Sequence, residues 1–184
     1  MMTTSFSSIP MILLALSLVA MPSAAVAQPN EGQVAAGLEV GLFLPSDDQF
    51  DSSITGGGFF EFYVTPRWGL RTGVMAMRPE YTRGNDEQER QIRLGADLIH
   101  NWEFGRVHPF AGAGLGWHML RLYDRGDHIG PSHNKLGVSA LAGAEAFVSR
   151  DWTVKGEARY QFVGKTPLVD PSGFALTVGI KRYF

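Results

Sequence analysis

The sequence predicts an all-β fold: a closed eight-stranded antiparallel up-and-down transmembrane β-barrel, preceded by an N-terminal signal peptide. Three observations support this prediction. Apolar and polar residues alternate with a period of two, which is typical of strands whose faces meet different environments. The connections between these segments alternate between short and long, and the charged residues of the segments fall on one of the two faces.

Eight segments carry the alternation, and most are near the ~9–11 residues that a tilted strand needs to cross a bilayer. The predicted strands are Val34–Phe43, Gly57–Val64, Arg67–Arg78, Gln91–Asn101, Pro109–Leu120, Leu136–Val148, Trp152–Val163 and Gly173–Phe184. The short connections are Thr65-Pro66, Trp102–His108 and Ser149-Arg150-Asp151. The long connections are Leu44–Gly56, Pro79–Arg90, Arg121–Lys135 and Gly164–Ser172. Short turns at one end and longer loops at the other are the layout of membrane barrels.

Residues 1–27 are predicted to be a signal peptide, which leaves one barrel domain at 28–184. Met11–Ala20 is a short apolar run, and Ala25-Val26-Ala27 fits the small-x-small cleavage rule, so the mature chain would begin at Gln28. The stretch before the apolar run contains no Lys or Arg, which departs from the usual signal. The alternative is an uncleaved N-terminal anchor, for which the run is short against the ~20 residues of a membrane span.

The composition excludes several classes of function. The formal net charge is −2, from 16 Lys and Arg against 18 Asp and Glu, which provides no basic face for nucleic acid. The chain has no cysteine, so disulfides, cysteine-ligated zinc and a thiol nucleophile are excluded. The mean hydropathy of −0.03 suits a barrel with one polar and one apolar face. We expect no cofactor and no nucleic-acid partner.

The phase of the charges distinguishes a membrane barrel from a soluble one. In the seventh predicted strand, Lys155, Glu157 and Arg159 share one face, and Val154 and Phe162 lie on the other. Across the strands, the charged face carries five acids and five bases: Glu39, Glu61, Arg71, Arg93, Asp97, Glu145, Lys155, Glu157, Arg159 and Lys181. A charge facing lipid near the midplane costs roughly 2–4 kcal/mol. We therefore expect the apolar face to meet lipid and the charges to pair inside a plugged lumen.

A soluble, lipocalin-like barrel is the alternative, with the apolar face inside. Two features argue against it. The charged face also carries glycines, which suit crowded packing in a narrow lumen: Gly37, Gly41, Gly73, Gly95, Gly137, Gly143 and Gly179. Aromatic residues fall near the strand ends, where membrane proteins place interfacial girdles. These residues are Phe43, Trp68, Trp102, Trp152, Phe162 and Phe184.

Four stretches resemble the outer-membrane β-barrel domain family, the small eight-stranded barrels of the OmpA, OmpX and Opa kind. They are VTPRWGLRTG (Val64–Gly73), VHPFAGAGLG (Val107–Gly116), GAEAFVSRDWTVKGEARYQF (Gly143–Phe162) and GFALTVGIKRYF (Gly173–Phe184). The resemblance covers about residues 32–184. It implies a protein of the bacterial outer membrane, which the chain would reach by export through the periplasm. It also implies that the protein is a monomer. It also implies outer-membrane lipid, lipopolysaccharide and the barrel assembly machinery as partners, with the terminal Phe184 as the assembly signal.

Some barrels of this family modify lipid A, so catalysis is one role that the resemblance allows, and several residues are candidates for it. They are His118, His128 and His133, with Ser132 and Asp124 or Asp127. Adjacent strand residues point to opposite faces, so Ser132 and His133 are poorly placed to share a proton. A metal site from the same histidines matches no known ligand spacing, and Asp47, Asp48 and Asp51 are best explained as solvated loop residues, although such a cluster could hold calcium. We therefore predict no catalytic and no metal residues.

These observations lead to one function and two alternatives. The predicted function is a non-enzymatic barrel that presents short surface loops for envelope integrity or interaction. The first alternative is a narrow channel or an OmpW-like conduit for small molecules, and the second is a lipid A-modifying enzyme. The fold does not choose among them, because one such fold hosts several roles.

Overall fold

The structure, a computed structural model, describes residues 29–80, 87–124, 127–164 and 170–184. The predicted signal peptide, residues 1–27, and the predicted mature N-terminus at Gln28 lie outside the described residues. In the described part of the chain, no helix is long and apolar enough to cross a membrane.

The fold is a closed antiparallel barrel of eight strands. The strands are β1 Val34–Pro45, β2 Ser53–Tyr63, β3 Trp68–Met77, β4 Glu87–Asn101, β5 Val107–Asp124, β6 Asp127–Phe147, β7 Trp152–Val163 and β8 Gly173–Tyr183. Each strand pairs with its neighbours along the chain, and β8 closes the ring on β1 from Ala35↔Tyr183 to Pro45↔Gly173. This architecture confirms the predicted fold class. Closure matters because it leaves no strand edge with unpaired backbone groups.

The largest difference from the predicted strands is the hairpin of β5 and β6. Residues 121–135 were predicted to be a long loop, but the two strands continue pairing through Leu122↔Ile129 to Asp124↔Asp127. The register shifts between Leu120 and Leu122, which marks a bulge. β4 likewise begins at Glu87, which pairs with Asp124. The alternation of apolar and polar residues fails here because strands beyond the lipid-facing belt need not present an apolar face to hydrocarbon.

The apolar face of every strand is on the outside, so the soluble, lipocalin-like alternative is wrong. On β7, Val154 is 46% exposed and Lys155 is 1% exposed, and the same parity holds around the barrel. On β4 the exposed apolar side chains run from Ile92 to the Trp102 that follows the strand. At about 3.3 Å per residue and a tilt of about 40°, this interval spans about 25 Å, the height of a lipid-facing belt.

Among the described residues, apolar side chains inside the barrel form three clusters, of which one, Ile99, Phe110 and Leu141, lies on β4, β5 and β6. Ala35, Tyr63, Phe147 and Tyr183 form a second cluster at the end with the short turns. Phe43, Met75, Met77 and Ala175 form the third toward the opposite end.

The predicted place of Phe43 in an aromatic girdle is wrong. It is 1% exposed, because it shares the inward parity of Glu39 and Gly41 and lies against Gly173. The other residues of the predicted girdles face outward: Trp68, Trp102, Trp152, Phe162 and Phe184.

Glycine is required where the lumen is tightest, and Gly114 on β5 is a clear case. A Cβ at this position would lie 2.0 Å from Asp97 Oδ1 and 2.4 Å from the Ala96 carbonyl oxygen. On the outer face, a Cβ at Gly156 would meet nothing within 4 Å. Gly114→Ala is therefore expected to lower the yield of folded barrel, whereas Gly156→Ala leaves it unchanged. The heat-dependent gel mobility of membrane-fraction protein measures both, and equal yields would contradict the packing.

Candidate functional site: the charged lumen

Ten charged side chains form an ion-pair network inside the lumen, and they are the ten that the sequence predicts to face it. Two lie on β4 (Arg93, Asp97), three on β7 (Lys155, Glu157, Arg159), and one each on β1 (Glu39), β2 (Glu61), β3 (Arg71), β6 (Glu145) and β8 (Lys181). Alternate positions of a strand face the same side, so the local sequence fixes this orientation. In their ion pairs, these side chains are at most 7% exposed.

Arg71 and Glu157 form the bridge at the centre of the lumen. The Arg71 guanidinium contacts Glu157 across the barrel from β3 to β7, and a second nitrogen lies 2.6 Å from Glu61 Oε1. Glu157 also accepts from Lys155 Nζ at 2.9 Å and from Arg159 Nη2 at 2.9 Å. One carboxylate thus holds three cations, which join β3 and β7 on opposite sides of the eight-stranded ring.

Toward the end with the short turns, the network continues through Lys181. Its ammonium lies 2.8 Å from Glu61 Oε2 and also contacts Glu145. Two tyrosine hydroxyls also donate hydrogen bonds to these carboxylates: Tyr63 donates to Glu61 at 2.8 Å, and Tyr183 donates to Glu145 at 2.7 Å. These bonds satisfy carboxylate lone pairs that burial would otherwise leave unpaired.

Toward the end with the long strands, the network ends in a pair of arginines on one aspartate. Arg159 holds both oxygens of Asp97, with Nη1 at 2.9 Å from Oδ1 and Nη2 at 2.9 Å from Oδ2. Arg93 Nη2 donates to the same carboxylate at 2.8 Å. The Ser139 hydroxyl accepts from both arginines, at 3.1 Å from Arg159 and 3.2 Å from Arg93.

Lys155 connects the network to the first strand, and aromatic rings line its flank. The Lys155 ammonium lies 2.7 Å from Glu39 Oε2 and 4.2 Å from the centre of the Phe59 ring. Arg71 lies 4.9 Å from the same ring and 5.3 Å from the ring of Phe110. Cations placed over aromatic faces are stabilised most when they are desolvated. The rings therefore exclude water and still compensate the charge.

The arrangement is electrically balanced, with five acids and five bases. Removing one partner of a buried pair leaves an uncompensated charge, which costs about 3–5 kcal/mol. The network therefore holds the walls together and fills the lumen. Its members are ions held in fixed positions, each of them in an ion pair with another member.

Sequence reasoning missed the neutral members of the lumen. Tyr63, Tyr183, Ser139 and Phe59 have the inward parity of the charges on their own strands, and that parity was the signal that could have found them. The hydrogen-bond partners of these side chains depend on which residues lie opposite one another across the barrel. Those partners are set by the register of the paired strands, which the sequence does not show.

The lumen beyond Arg93 contains further polar groups. Gln91 Nε2 lies 2.7 Å from His118 Nδ1, and both side chains are buried. Glu89 lies on the part of β4 that extends beyond the membrane-spanning belt. Burial and, to a smaller extent, the nearby Asp47 together raise the pKa of its carboxyl to about 7.

The catalytic candidates are not brought together in the part of the chain that the structure describes. Ser132 and His133 are consecutive residues of β6, so they face opposite sides of the strand. His118 faces the lumen and bonds Gln91. The side chains of Asp124, Asp127 and His128 lie outside the described residues.

Of the three aspartates considered for calcium, Asp47 has a structural role in its loop. Asp47 accepts hydrogen bonds from the Gln49 amide at 3.1 Å and the Asp170 amide at 3.3 Å. Among the described residues, no group of three His, Asp or Glu side chains could hold a metal ion. Gly112–Gly116 lies within β5 and contributes to the narrow lumen.

Phe184, the predicted assembly signal, directly follows Tyr183, the last residue of β8. Its ring is 67% exposed, and its amide donates to the Val34 carbonyl at 2.9 Å. The Arg182 guanidinium lies 5.1 Å from the ring centre. The ring is thus displayed on the outer surface at the end with the short turns, and its role as a signal stays a prediction.

Comparison with solved structures finds the same barrel in several bacterial proteins. Neisserial surface protein A (NspA) is 18% identical, with a TM-score of 0.64 over 83% of this chain and 96% of that one. OprG of Pseudomonas aeruginosa is 12% identical, with a TM-score of 0.67 over 86% and 99%. Ail of Yersinia pestis is 13% identical, with a TM-score of 0.59 over 84% and 99%. At these identities the similarity shows the fold.

Comparison at the level of sequence gives the family. No curated protein matches the chain. The model of the outer membrane protein beta-barrel domain matches residues 11–181. The match spans nearly the whole sequence and agrees with the closed eight-stranded barrel. This protein therefore belongs to the outer membrane protein beta-barrel domain family.

Proposed function

We propose that the protein is a non-enzymatic barrel of the bacterial outer membrane, with a side-chain-filled lumen, that presents its outer hairpins for envelope integrity or interaction. The observation that carries the proposal is the bridge from Arg71 to Glu157 across the barrel, with Lys155 and Arg159 on the same carboxylate. A permeating ion would have to displace these pairs, and each displacement would expose an uncompensated buried charge. This cost supports a closed barrel over a channel.

The shape of the long-strand end supports presentation as the role. β4, β5 and β6 extend beyond the last pairings of β3 with β4 and of β6 with β7, at Met77↔Gln91 and Gly137↔Val163. They continue to pair with one another up to Glu87↔Asp124 and Asp124↔Asp127. In barrels of this class the short turns are periplasmic, so this three-stranded extension would stand on the cell surface.

The absence of catalysis is part of the proposal, and the placement of the polar groups supports it. General base catalysis needs a base within about 2.6–3.2 Å of the proton that it takes. Ser132 and His133 point away from each other, and His118 is engaged with Gln91 in the lumen. Each of the ten charged groups of the network forms an ion pair with another member, which suits a structural role.

Planar-bilayer recording tests the proposal. We expect the purified wild-type protein to give no steady single-channel current. Arg71→Ala/Glu157→Ala removes the central bridge without changing net charge, and we expect it to raise the conductance. Arg67→Ala/Asp151→Ala removes an exposed acid and base at the short-turn end and serves as the control. Steady wild-type currents that the bridge variant leaves unchanged would overturn the closed lumen in favour of a channel.

A further inference from the structure

Three arginines form a row on the outer surface of the barrel, at the end with the long strands. Arg90 on β4 and Arg121 on β5 are direct cross-strand partners. Arg78 directly follows Met77, the last residue of β3, which pairs with Gln91, so it lies beside Arg90 on the same outer face. The adjoining row toward the membrane is Ala76, Ile92 and Met119, paired in the same register.

The row lies just beyond the lipid-facing belt. On β4, the outward residue that follows Ile92 toward the long-strand end is Arg90. The belt from Ile92 to Trp102 accounts for the height of the hydrocarbon band, about 25 Å. The arginines are therefore at the level of the lipid headgroups in the outer leaflet.

These arginines are available for a ligand. Among the described residues, none of the three forms an ion pair with a carboxylate. Arg90 Nε is buried without a hydrogen-bond partner, and its guanidinium lies 4.0 Å from the centre of the Tyr123 ring, which fixes the plane of the donors. On its other side, Arg78 borders a second groove that contains Asp51 and Glu80, so the acids lie at one edge of the row.

A groove of about 310 Å³ joins the arginines to the apolar row beneath them. Its lining combines Arg78, Arg90, Arg121 and Tyr123 with Ala76, Ile92 and Met119. One ligand must therefore offer an anion and, adjacent to it, hydrocarbon. Guanidinium groups suit phosphate because their planar donors bind it in a bidentate manner.

We propose that the row of Arg78, Arg90 and Arg121 binds a phosphate of a lipid A-type glycolipid in the outer leaflet, whose acyl chains lie on Ala76, Ile92 and Met119. A free phosphate would use the cations but not the apolar half of the groove. The inference rests on the outer-membrane placement in the proposed function and is independent of the closed lumen.

Native mass spectrometry of the full protein in detergent tests the site, with bis-phosphorylated lipid A and its dephosphorylated form as probes. We expect the wild type to retain the phosphorylated lipid, and Arg78→Gln/Arg90→Gln/Arg121→Gln to retain it about tenfold less or weaker still. Arg67→Gln/Arg150→Gln/Arg182→Gln removes three exposed arginines at the short-turn end and should match the wild type. Heat-dependent gel mobility shows that each variant is folded, and the single Arg121→Gln variant provides a milder test.

Two results would overturn the site: equal retention of the two lipids by the wild type, or equal losses in the two triple variants. Inorganic phosphate at millimolar concentration should not displace the lipid, and displacement would assign the site to the free anion instead. Failure of the site and failure of the proposed function are distinguishable. Steady bilayer currents concern the lumen, whereas lipid retention concerns the outer surface.

Discussion

Replacing Val178 with Arg is expected to block assembly of the barrel. Val178 is 62% exposed at the middle of β8, with Val40 and Gly156 as its cross-strand neighbours on the lipid-facing surface. An arginine there would have to enter hydrocarbon near the midplane, at a cost of roughly 2–4 kcal/mol. That cost corresponds to about a 30-fold or larger loss in the folding equilibrium. The yield of heat-modifiable protein in the membrane fraction measures it.

Asn134→Arg is the matched control for this experiment. Asn134 is exposed on the outer face of β6, beyond Leu136 toward the long-strand end, so the same charge would enter at the headgroup level. Depth-dependent cost predicts a normal yield for this variant. If Val178→Arg and Asn134→Arg assembled equally well, the outer face of β8 could not be lipid-facing.

Replacing Arg71 with Leu is expected to cost about 3–5 kcal/mol of unfolding free energy, the second large effect. Arg71 is 4% exposed and joins Glu61 to Glu157. Glu157 keeps Lys155 and Arg159 in the variant, and Glu61 keeps one cation, Lys181, and the Tyr63 hydroxyl. Guanidinium chloride unfolding of protein in liposomes, followed by tryptophan fluorescence, gives the free energy.

A double-mutant cycle separates the lost charge from the lost packing. Glu61→Gln removes the cross-strand partner of Arg71, so Arg71→Leu/Glu61→Gln restores the charge balance of the lumen. We expect the double variant to be more stable than the sum of the single losses by about 1–3 kcal/mol. Arg67→Leu, at an exposed turn, should change stability by no more than about 0.5 kcal/mol. Strict additivity in the cycle would mean that Arg71 and Glu61 do not interact.

The strand positions and their inward faces were readable from the sequence because the membrane imposes a strict rule. β7 begins and ends at the predicted residues, Trp152 and Val163. Its alternation is regular because one face meets lipid and the other faces the lumen. Beyond the lipid-facing belt this constraint no longer applies, and there the sequence predicts a loop where β5 and β6 continue to pair past Leu120.

The partners inside the lumen could not be read from the sequence. Arg71 and Glu157 are 86 positions apart, and their contact depends on the closure and register of all the strands between them. Phe43 shows the same limit, because its position near a strand end suggested an interfacial ring, and only its parity places it inside. Parity assigns a side chain to a face, whereas contacts across the barrel require the three-dimensional ring.

A nitroxide scan of β8 in liposomes tests the central claim most directly, that the apolar face of each strand meets lipid while the charged face is enclosed. The chain has no cysteine, so single cysteines can be introduced and labelled at Ala175, Leu176, Thr177 and Val178 without background. Molecular oxygen dissolves in hydrocarbon, so its collision rate should be high at Leu176 and Val178 and low at Ala175 and Thr177. High rates at Ala175 and Thr177, with low rates at Leu176 and Val178, would contradict the account.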